Sequence, residues 1–332
     1  MKAVVLYGVN LPLKITKIDT PKPLTGKVLV QIKAAAINRR DLWIKEGKYA
    51  GLKFPIILGS DCAGLIHSVG ADVDSALIGE EVIINPSLNW GKNENYQGPE
   101  FQILGLPQNG TFAQFLAIDV AQICKKPSFL SFEQAAAIPL SGLTAFRALF
   151  KKGNLLKGET VLISGAGGGT ATFALLFAVA LGANVYVTAG NKQKVGKAIL
   201  LGAKGGVCYK DEDWDNQLLA LTNGFDVIID SALGSGFVKY PSITKPGGRI
   251  VFFGGTAGNM PEINGRQIFW KQLQILGTTM GSPKDFEAMI AFINQYQIKP
   301  VIDEVFDLVD ADFAFKKMAD YGQFGKMVLR VN

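Results

Sequence analysis

The sequence contains very few of the residues that bind metal ions or form disulfides. It has 332 residues but a single histidine, His67, and three cysteines, Cys62, Cys124 and Cys208. None of them has the Cys-x-x-Cys or His-x-x-x-His spacing that lets one loop or helix present two ligands to zinc. Three scattered cysteines also exclude a disulfide framework and are typical of a reducing compartment. The composition therefore predicts no metal site and a cytoplasmic protein.

A nucleophilic Ser-His-Asp or Cys-His site would have to use the single histidine. His67 lies in the segment Leu65-Ile66-His67-Ser68-Val69, which is typical of a strand. We therefore expect its side chain to face solvent or a local partner, and not to act in catalysis.

Long apolar runs and clusters of like charge are missing too. No apolar stretch reaches the ~18 residues of a membrane span, and Met1-Lys2 leads directly into strand-like sequence, so neither a span nor a signal peptide is predicted. The 34 Lys and Arg residues and the 28 Asp and Glu residues are spread along the chain. This distribution argues against a nucleic-acid groove and favours an anionic small ligand.

Two hydrophobicity patterns divide the chain. The first part has short β-branched and apolar segments punctuated by Pro and Gly, which favours a barrel or sandwich. After about Pro127, apolar runs alternate with helix-length segments, which favours a parallel, doubly wound sheet. The strands expected there are Val161–Ser164, Val185–Thr188, Val227–Asp230, Ile250–Gly254 and Leu273–Gly277. The chain then continues with helices Pro283–Asn294 and Ala311–Tyr321 and the strand Lys326–Val331.

A glycine-rich turn is the most informative motif. It follows the strand Thr160–Ser164, precedes a small and apolar helical segment, and is itself followed by a second strand. Glycines let the backbone approach a pyrophosphate, whose charge then meets free amides and the positive end of a helix. The alternative is a turn that only packs a buried helix. The motif predicts a dinucleotide site at Gly165, Gly168, Gly169, Thr170 and Ala171.

The end of the second strand indicates which dinucleotide binds. An Asp or Glu there would accept a hydrogen bond from the 2′-hydroxyl of NAD. The segment Thr188–Lys194 has no acidic residue and contains Gly190, Asn191 and Lys194. Small polar groups and ammonium groups suit a 2′-phosphate, so NADP(H) is expected over NAD(H). In the alternative interpretation, Lys192 and Lys194 form only a solvated helix start.

Several segments spread over nearly the whole chain carry a family resemblance. They are Ala36-Ile37-Asn38-Arg39-Arg40-Asp41, Gly59-Ser60-Asp61-Cys62-Ala63-Gly64, the turn at 165–171, Lys245-Pro246-Gly247-Gly248-Arg249, Phe269-Trp270-Lys271-Gln272-Leu273 and Phe324-Gly325-Lys326. The sequence resembles the medium-chain dehydrogenase/reductase superfamily, most of all its zinc-free quinone oxidoreductase-like branch. The resemblance implies an α/β protein: a GroES-like β-barrel catalytic domain (residues 1–125 and 283–332), a Rossmann domain (126–282), and an active site in the cleft between them.

The sequence departs from the family at the zinc ligands. Zinc-dependent members place catalytic ligands at positions that here read Asn38, Ser60 and Leu140, with Asp61 where a glutamate is usual. Positions matching the structural-zinc lobe read Trp90, Asn93, Tyr96 and Gly98. These side chains cannot replace thiolate and imidazole. We therefore expect neither a catalytic nor a structural zinc ion. We expect Trp90 and Tyr96 to hold the loop at the structural-zinc positions by packing.

Without a metal as Lewis acid, oxidation of simple alcohols is disfavoured. Hydride addition to a quinone or an enone gives a delocalised oxyanion that needs only modest hydrogen bonding. The expected activity is therefore NADPH-dependent reduction of quinones or α,β-unsaturated carbonyls. Two alternatives remain open: an NADPH-binding protein with a redox-responsive or structural role and little catalysis, and an enoyl reductase acting on an acyl thioester.

The resemblance also suggests residues on the acceptor side. Asn38 is expected to donate from its amide to the acceptor oxygen or the cofactor. Arg40 is expected to stabilise an enolate, or else to form a salt bridge with Asp41 or Asp61. Asp41 is expected to orient Asn38 or Arg40, and Tyr49 is a candidate proton donor, with water as the alternative.

Further cofactor contacts, and a dimer, are implied in the same way. The resemblance assigns Thr144 to the nicotinamide region, Tyr209 and Lys326 to the adenosine phosphate, and Phe253, Gly254 and Met280 to the far half of the dinucleotide. Apolar segments at Arg249–Gly255 and Leu273–Met280 suit pairing across a twofold axis, so a homodimer is expected. The alternative is a covered sheet edge.

Overall fold

The computed structural model describes all 332 residues and contains eighteen strands and ten α-helices, with a π-helical turn at Arg147–Lys152 after α3. The first ten strands are β1 (Lys2–Leu6), β2 (Lys14–Lys17), β3 (Lys27–Ala36), β4 (Ile56–Ile57), β5 (Asp61–Val69), β6 (Glu81–Ile84), β7 (Ser87–Leu88), β8 (Gln102–Ile103), β9 (Phe115–Asp119) and β10 (Ile123–Lys125). The others are β11 (Thr160–Ile163), β12 (Asn184–Ala189), β13 (Gly205–Cys208), β14 (Phe225–Asp230), β15 (Thr244–Phe252), β16 (Gln274–Gly277), β17 (Ile302–Asp307) and β18 (Lys326–Arg330).

Helices are concentrated in the second half of the chain. They are α1 (Arg39–Lys45), α2 (Phe132–Ala136), α3 (Pro139–Phe146), α4 (Gly169–Leu181), α5 (Lys192–Leu200), α6 (Trp214–Leu221), α7 (Tyr240–Ile243), α8 (Gly265–Lys271), α9 (Pro283–Tyr296) and α10 (Ala311–Ala319). None of them is long and apolar enough to cross a membrane.

The chain divides into two units. Unit 1 comprises Met1–Leu143 and Gly281–Asn332, and unit 2 comprises Thr144–Met280. The first boundary lies later in the chain than the expected division at residue 125. The physical reason is that α2 packs against β3 and β5, so residues 126–143 belong with the barrel strands.

Unit 1 is built around a mainly antiparallel sheet. Its strand order is β10-β6-β5-β3-β18-β17, with β9 also paired to β3, and a three-stranded sheet β2-β1-β4 lies beside it. The aliphatic side chains of β1, β3 and β5 form one core with Phe112 and Phe315. His67 is an exposed residue of β5 whose ring contacts Phe115, which confirms the expectation that it lies on a strand facing solvent.

Unit 2 is a parallel sheet with helices between successive strands. The order β13-β12-β11-β14-β15-β16 is the doubly wound arrangement in which the strand order reverses between β11 and β14. All five predicted strands are present, and every pairing is parallel. The central strands β11 and β14 are almost wholly buried, which explains why they read as unbroken apolar runs. The expected α/β fold with a Rossmann sheet is confirmed.

Candidate active site

The glycine turn follows β11, next to the point where the strand order of the sheet in unit 2 reverses. The turn connects β11 to α4, and Gly165 has a φ of +66°, a conformation that favours glycine. Gly168 precedes the helix, and no side chain caps this helix end. The first amides of a helix have no partner within the helix, so those of Gly169, Thr170 and Ala171 are suited to an anion. The turn therefore fits the pyrophosphate of a dinucleotide.

A buried hydrogen-bond network supports this turn. The hydroxyl of Ser164, directly before the turn, donates to Asp230 Oδ1 (2.6 Å), and Tyr240 donates to the same oxygen (2.9 Å). The other oxygen accepts from the backbone amides of Ala232 and Leu233. Burial and the Asp230 carboxylate raise the pKa of Tyr240 well above its usual value. The network joins the ends of β11 and β14 and was not anticipated from the sequence.

Four of the predicted cofactor residues meet at the end of β12. Asn191 precedes α5, and its side chain accepts a hydrogen bond from the backbone amide of Lys194 (2.9 Å). The backbone amide of Tyr209 donates to Ala189, which ends β12 (3.0 Å). A Cβ atom on Gly190 would lie 2.9 Å from the Tyr209 hydroxyl, so the missing side chain lets the tyrosine approach.

The remaining predicted residues of unit 2 lie at the ends of other strands. Phe253 and Gly254 follow β15, and the Phe253 amide donates to the Asp230 carbonyl (3.2 Å). A Cβ atom on Gly254 would lie 2.5 Å from the Ser231 carbonyl oxygen, so only glycine fits there. Met280 follows β16 and is buried, with its sulfur 3.9 Å from the Thr144 hydroxyl. Phe253, Gly254 and Met280 therefore share the edge of the sheet at which the glycine turn lies, and Thr144 contacts Met280 from helix α3.

A buried polar cluster, which we name the Lys326 cluster, lies in unit 1. It consists of Lys326, Asn38, Asp61 and Ser141, all less than 5% exposed. The Lys326 ammonium donates to Asn38 Oδ1 (2.6 Å), Asp61 Oδ2 (3.0 Å) and Ser141 Oγ (3.3 Å). Asp61 also accepts from Asn38 Nδ2 (2.9 Å) and from the backbone amide of Leu140 (2.8 Å).

The position of Lys326 corrects the role that the resemblance implied. To bind the adenosine phosphate, the Lys326 ammonium would need at least one N–H that has no other acceptor. An ammonium has three donors, and here all three have acceptors within the Lys326 cluster. The residue belongs with Asn38 in unit 1.

Arg40 lies beside the Lys326 cluster in a second set of contacts. Its Nη1 donates to Ser60 Oγ (2.8 Å) and to the Leu104 carbonyl (2.9 Å). The guanidinium also lies over the ring of Tyr49, with 5.1 Å between Arg40 Cζ and the ring centre. The possible salt bridge forms with Asp41, at 3.9 Å; Asp61 pairs with Lys326 instead. The Nε of Arg40 is buried and has no hydrogen-bond partner. The structure thus brings Arg40 and Tyr49 together.

Asp41 holds the backbone next to the Lys326 cluster. One of its oxygens accepts from the backbone amide of Asn38 (2.8 Å) and the other from that of Gly59 (3.3 Å). The side chain is fully buried, and burial raises its pKa to about 6, opposed by the charge of Arg40. Its contacts with these two amides fix the backbone at Asn38 and Gly59.

Ser141 is the member of the Lys326 cluster that sequence reasoning missed. It is a polar residue in α3, whose other side chains are mostly apolar, and it is only 3% exposed. Its hydroxyl lies 3.3 Å from Asn38 Oδ1. The available signal was a hydroxyl in a mostly apolar helix next to Leu140, a position already singled out.

Comparisons with known proteins match both units. The family model described as an alcohol dehydrogenase GroES-like domain matches residues 25–128, and that of a zinc-binding dehydrogenase matches residues 169–295. The chain is 35% identical to the zinc-type alcohol dehydrogenase-like protein YogA of Leptosphaeria maculans, over 97% of this chain and 96% of that protein. It is 29% identical to the acryloyl-coenzyme A reductase of Metallosphaera sedula, over 99% of each. A crystal structure of an NAD-dependent alcohol dehydrogenase superposes with a TM-score of 0.93 and 34% identity, over 100% of both chains.

The chain belongs to the medium-chain dehydrogenase/reductase superfamily, which confirms the resemblance read from the sequence. It is an oxidoreductase of that family, and its relatives include enzymes named for their dependence on a pyridine nucleotide. Those relatives act on small molecules.

The residues at the zinc-ligand positions do not fit a zinc ion. Asn38 and the backbone of Leu140 both bind Asp61, and Ser60 binds Arg40. No group of three His, Cys, Asp or Glu side chains gathers anywhere in the structure. Two cationic side chains, Lys326 and Arg40, lie where a divalent ion would need anionic or imidazole ligands. We therefore derive no catalytic step through zinc.

The loop at the structural-zinc positions is held by Trp90. This side chain is buried, donates from Nε1 to the Asn93 carbonyl (2.9 Å) and packs edge-on against Phe101. Its own carbonyl accepts from the amide of Gly98 (2.7 Å). Tyr96 is 61% exposed, so the expectation that it also packs in the loop was wrong. A tyrosine hydroxyl remains hydrated at the surface, whereas the indole finds its partner inside the loop.

Proposed function

We propose that the protein uses NADPH to reduce quinones or α,β-unsaturated carbonyl compounds without a zinc ion. The observation that carries the proposal is the Lys326 cluster, which places the chain's own ammonium among the zinc-ligand positions. When bound, NADPH supplies the hydride. The charge that develops on a conjugated acceptor is delocalised, so hydrogen-bond donors of the protein suffice to stabilise it.

Four residues of unit 1 have separate roles in binding and reducing the acceptor. Asn38 donates from its amide to the acceptor oxygen, and Asp41 keeps the backbone of Asn38 in place. Arg40 contributes positive charge beside them. The Tyr49 hydroxyl, or a water molecule, supplies the proton that completes the reduction.

A panel of acceptors tests the proposal. The purified protein is mixed with NADPH and with 1,4-benzoquinone, 9,10-phenanthrenequinone or an enal, and the absorbance of the reduced nicotinamide is followed. Steady NADPH oxidation is the expected result. Tight NADPH binding without turnover on any acceptor would instead favour the non-catalytic alternative. Elemental analysis serves as a check, because stoichiometric zinc would contradict a metal-free site.

Acyl thioesters are a second candidate substrate class. The observation that favours them is the end-to-end similarity to an acryloyl-coenzyme A reductase. A coenzyme A thioester of a 2-enoic acid is also an α,β-unsaturated carbonyl, so the same amide donor would serve it. Crotonyl-coenzyme A therefore belongs in the acceptor panel, and a kcat/KM well above that for enals and quinones would identify the thioester as the substrate.

We assign the cofactor preference to the end of β12. Lys194, Asn191 and Tyr209 lie there, and the segment Thr188–Lys194 has no acidic residue. We expect Lys194→Ala to raise the KM for NADPH about 10-fold, because it removes a positive charge from the site of the 2′-phosphate. The KM for NADH should not change. Lys192→Ala, at an exposed neighbouring position, is the matched control and should alter either KM by less than about twofold. A wild-type KM for NADH as low as that for NADPH would contradict the assignment.

The free edge of the sheet in unit 2 supports a homodimer. β16 is the last strand of the sheet and pairs only with β15. Just before it in the chain, Phe269 and Trp270 are 67% and 82% exposed. Two copies of β16 can pair across a twofold axis and cover these rings. We expect sedimentation to give twice the monomer mass, and Trp270→Glu to shift the protein to monomer; a wild-type monomer at micromolar concentration would rule the dimer out.

A further inference from the structure

The Lys326 ammonium is an enclosed charge at the centre of the Lys326 cluster. Its side chain is 2% exposed, and that of Asp61 is 0% exposed. Lysine is almost never buried to this degree without a partner, because the desolvation of an ammonium is costly. Asp61 is the single carboxylate that touches it, and Asn38 and Ser141 supply neutral oxygens. The ammonium is therefore held in place by three acceptors within unit 1.

The two charges fix the orientation of the Asn38 amide. Its Oδ1 accepts from the Lys326 ammonium at 2.6 Å, and its Nδ2 donates to the Asp61 carboxylate at 2.9 Å. A flipped amide would set its NH2 against the ammonium and its carbonyl against the carboxylate, so both contacts would become repulsive. One hydrogen of Nδ2 is bound by Asp61, and the other has no acceptor within the protein.

We propose that Lys326 is a positioning residue that acts through Asn38. By donating to Oδ1, the ammonium holds the amide in one orientation and draws electron density from it, which strengthens the remaining Nδ2 hydrogen as a donor. Hydrogen bonds in a chain polarise one another, and those to a charged group are about twice as strong as neutral ones. The donor that meets the acceptor oxygen is thus a polarised amide. This inference rests on the proposed function, because it assumes that negative charge develops on an acceptor oxygen next to Asn38.

Two other roles for Lys326 make different predictions. If Lys326 only neutralises Asp61, its loss should affect stability but not the rate of a folded enzyme. If it binds a cofactor phosphate, its loss should raise the KM for NADPH. Action through Asn38 requires that kcat falls, and that this fall disappears once Asn38 has lost its amide.

The kinetic test uses the full chain with NADPH and the best acceptor of the panel. Lys326→Met removes the charge at similar length, and we expect kcat to fall about 10- to 100-fold, in the range for loss of an oxyanion donor. The KM for NADPH should stay within about twofold of wild type, and Lys326→Arg should recover part of kcat. In an Asn38→Ala background, Lys326→Met should have no further effect. A raised KM for NADPH with unchanged kcat, or losses in kcat that multiply, would overturn the proposal.

Two further variants separate positioning from simple stability. Lys126→Met is the matched control, because Lys126 is also a buried lysine of unit 1, paired with Glu81 at 3.0 Å and bound to the Leu130 carbonyl. We expect it to lower stability and leave kcat unchanged. The double variant Asp61→Asn, Lys326→Met removes both buried charges, so it should be more stable than Lys326→Met and replaces that variant in the kinetic test if the single variant fails to fold. Its kcat should remain low, and a wild-type kcat would overturn the proposal.

A spectroscopic measurement tests, without turnover, whether Lys326 polarises the Asn38 amide. In protein labelled with 15N-asparagine, the side-chain amide signal of Asn38 is identified by its loss in Asn38→Ala. Lys326→Met should shift both of its protons upfield, whereas Lys126→Met should leave them in place. If the wild-type protein reduces no acceptor, the proposed function fails, but this spectrum still tests the inference. An Asn38 signal that does not move in Lys326→Met would overturn it.

Discussion

Replacing Asp61 with alanine is expected to lower the free energy of unfolding of unit 1 by about 3–5 kcal/mol, the range for a buried ion pair that loses one partner. Three donors lose their acceptor at once: the Lys326 ammonium, Asn38 Nδ2 and the backbone amide of Leu140. The ammonium dominates the loss, because Lys326 is 3% exposed and water cannot reach it without opening the unit.

Amide hydrogen exchange in β3 and β5 measures this loss directly, since a chain of two units need not unfold in one step. Adding Lys326→Met to Asp61→Ala should restore part of the stability, because the unpaired charge disappears. Glu80→Ala breaks a surface pair with Lys125 at 3.2 Å and should cost less than about 1 kcal/mol. Equal effects of Asp61→Ala and Glu80→Ala would show that the buried pair contributes no more than a surface one.

Gly165→Val is expected to weaken NADPH binding at least about 100-fold, equivalent to about 2.7 kcal/mol. Gly165 has a φ of +66°, which a β-branched residue rarely adopts, so the turn must change its path. A changed path moves the backbone amides at the start of α4 away from the pyrophosphate. Fluorescence titration of the reduced nicotinamide gives the Kd.

Gly158 offers a matched control at the other end of the same strand. It has a φ of +85° and open space where a Cβ would lie, and it is in the turn before β11. Gly158→Val therefore introduces similar backbone strain away from the carboxyl ends of the strands. We expect a similar loss of thermal stability with an unchanged Kd. A Kd that changes equally in both variants would mean that general destabilisation, not the turn, controls binding.

The sheet of unit 2 could be predicted because its determinants are local. Strands buried on both faces appear as apolar runs, and the turn at Gly165 carries its own backbone requirement in glycines. The grouping of Gly190, Asn191, Lys194 and Tyr209 followed from the same rule, since the carboxyl ends of neighbouring parallel strands meet at one edge.

The Lys326 cluster could not be predicted in the same way, because it depends on contacts between distant parts of the chain. Lys326 and Asn38 are 288 residues apart. The family resemblance matched Asn38 to a zinc-ligand position, but nothing local in the sequence distinguishes an ammonium that binds a phosphate from one that binds a buried carboxylate. Ser141 was missed for the same reason: its polarity acquires meaning only when β18 brings Lys326 beside it. The roles of Asn38, Arg40, Asp41 and Tyr49 in catalysis remain proposals.

The position of β18 also determines when unit 1 can be completed during synthesis. β18 pairs with β3 at Ala34–Ala36, although the whole of unit 2 separates the two strands in the chain. Asn38 and Asp61 therefore leave the ribosome long before Lys326. Until β18 has been synthesised, Asp61 lacks its cation, and β3 is paired with β5 and β9 but not with β18. Unit 2 is continuous in sequence and can fold in that interval. The nascent chain can thus fold unit 2 before Lys326 of unit 1 has been synthesised.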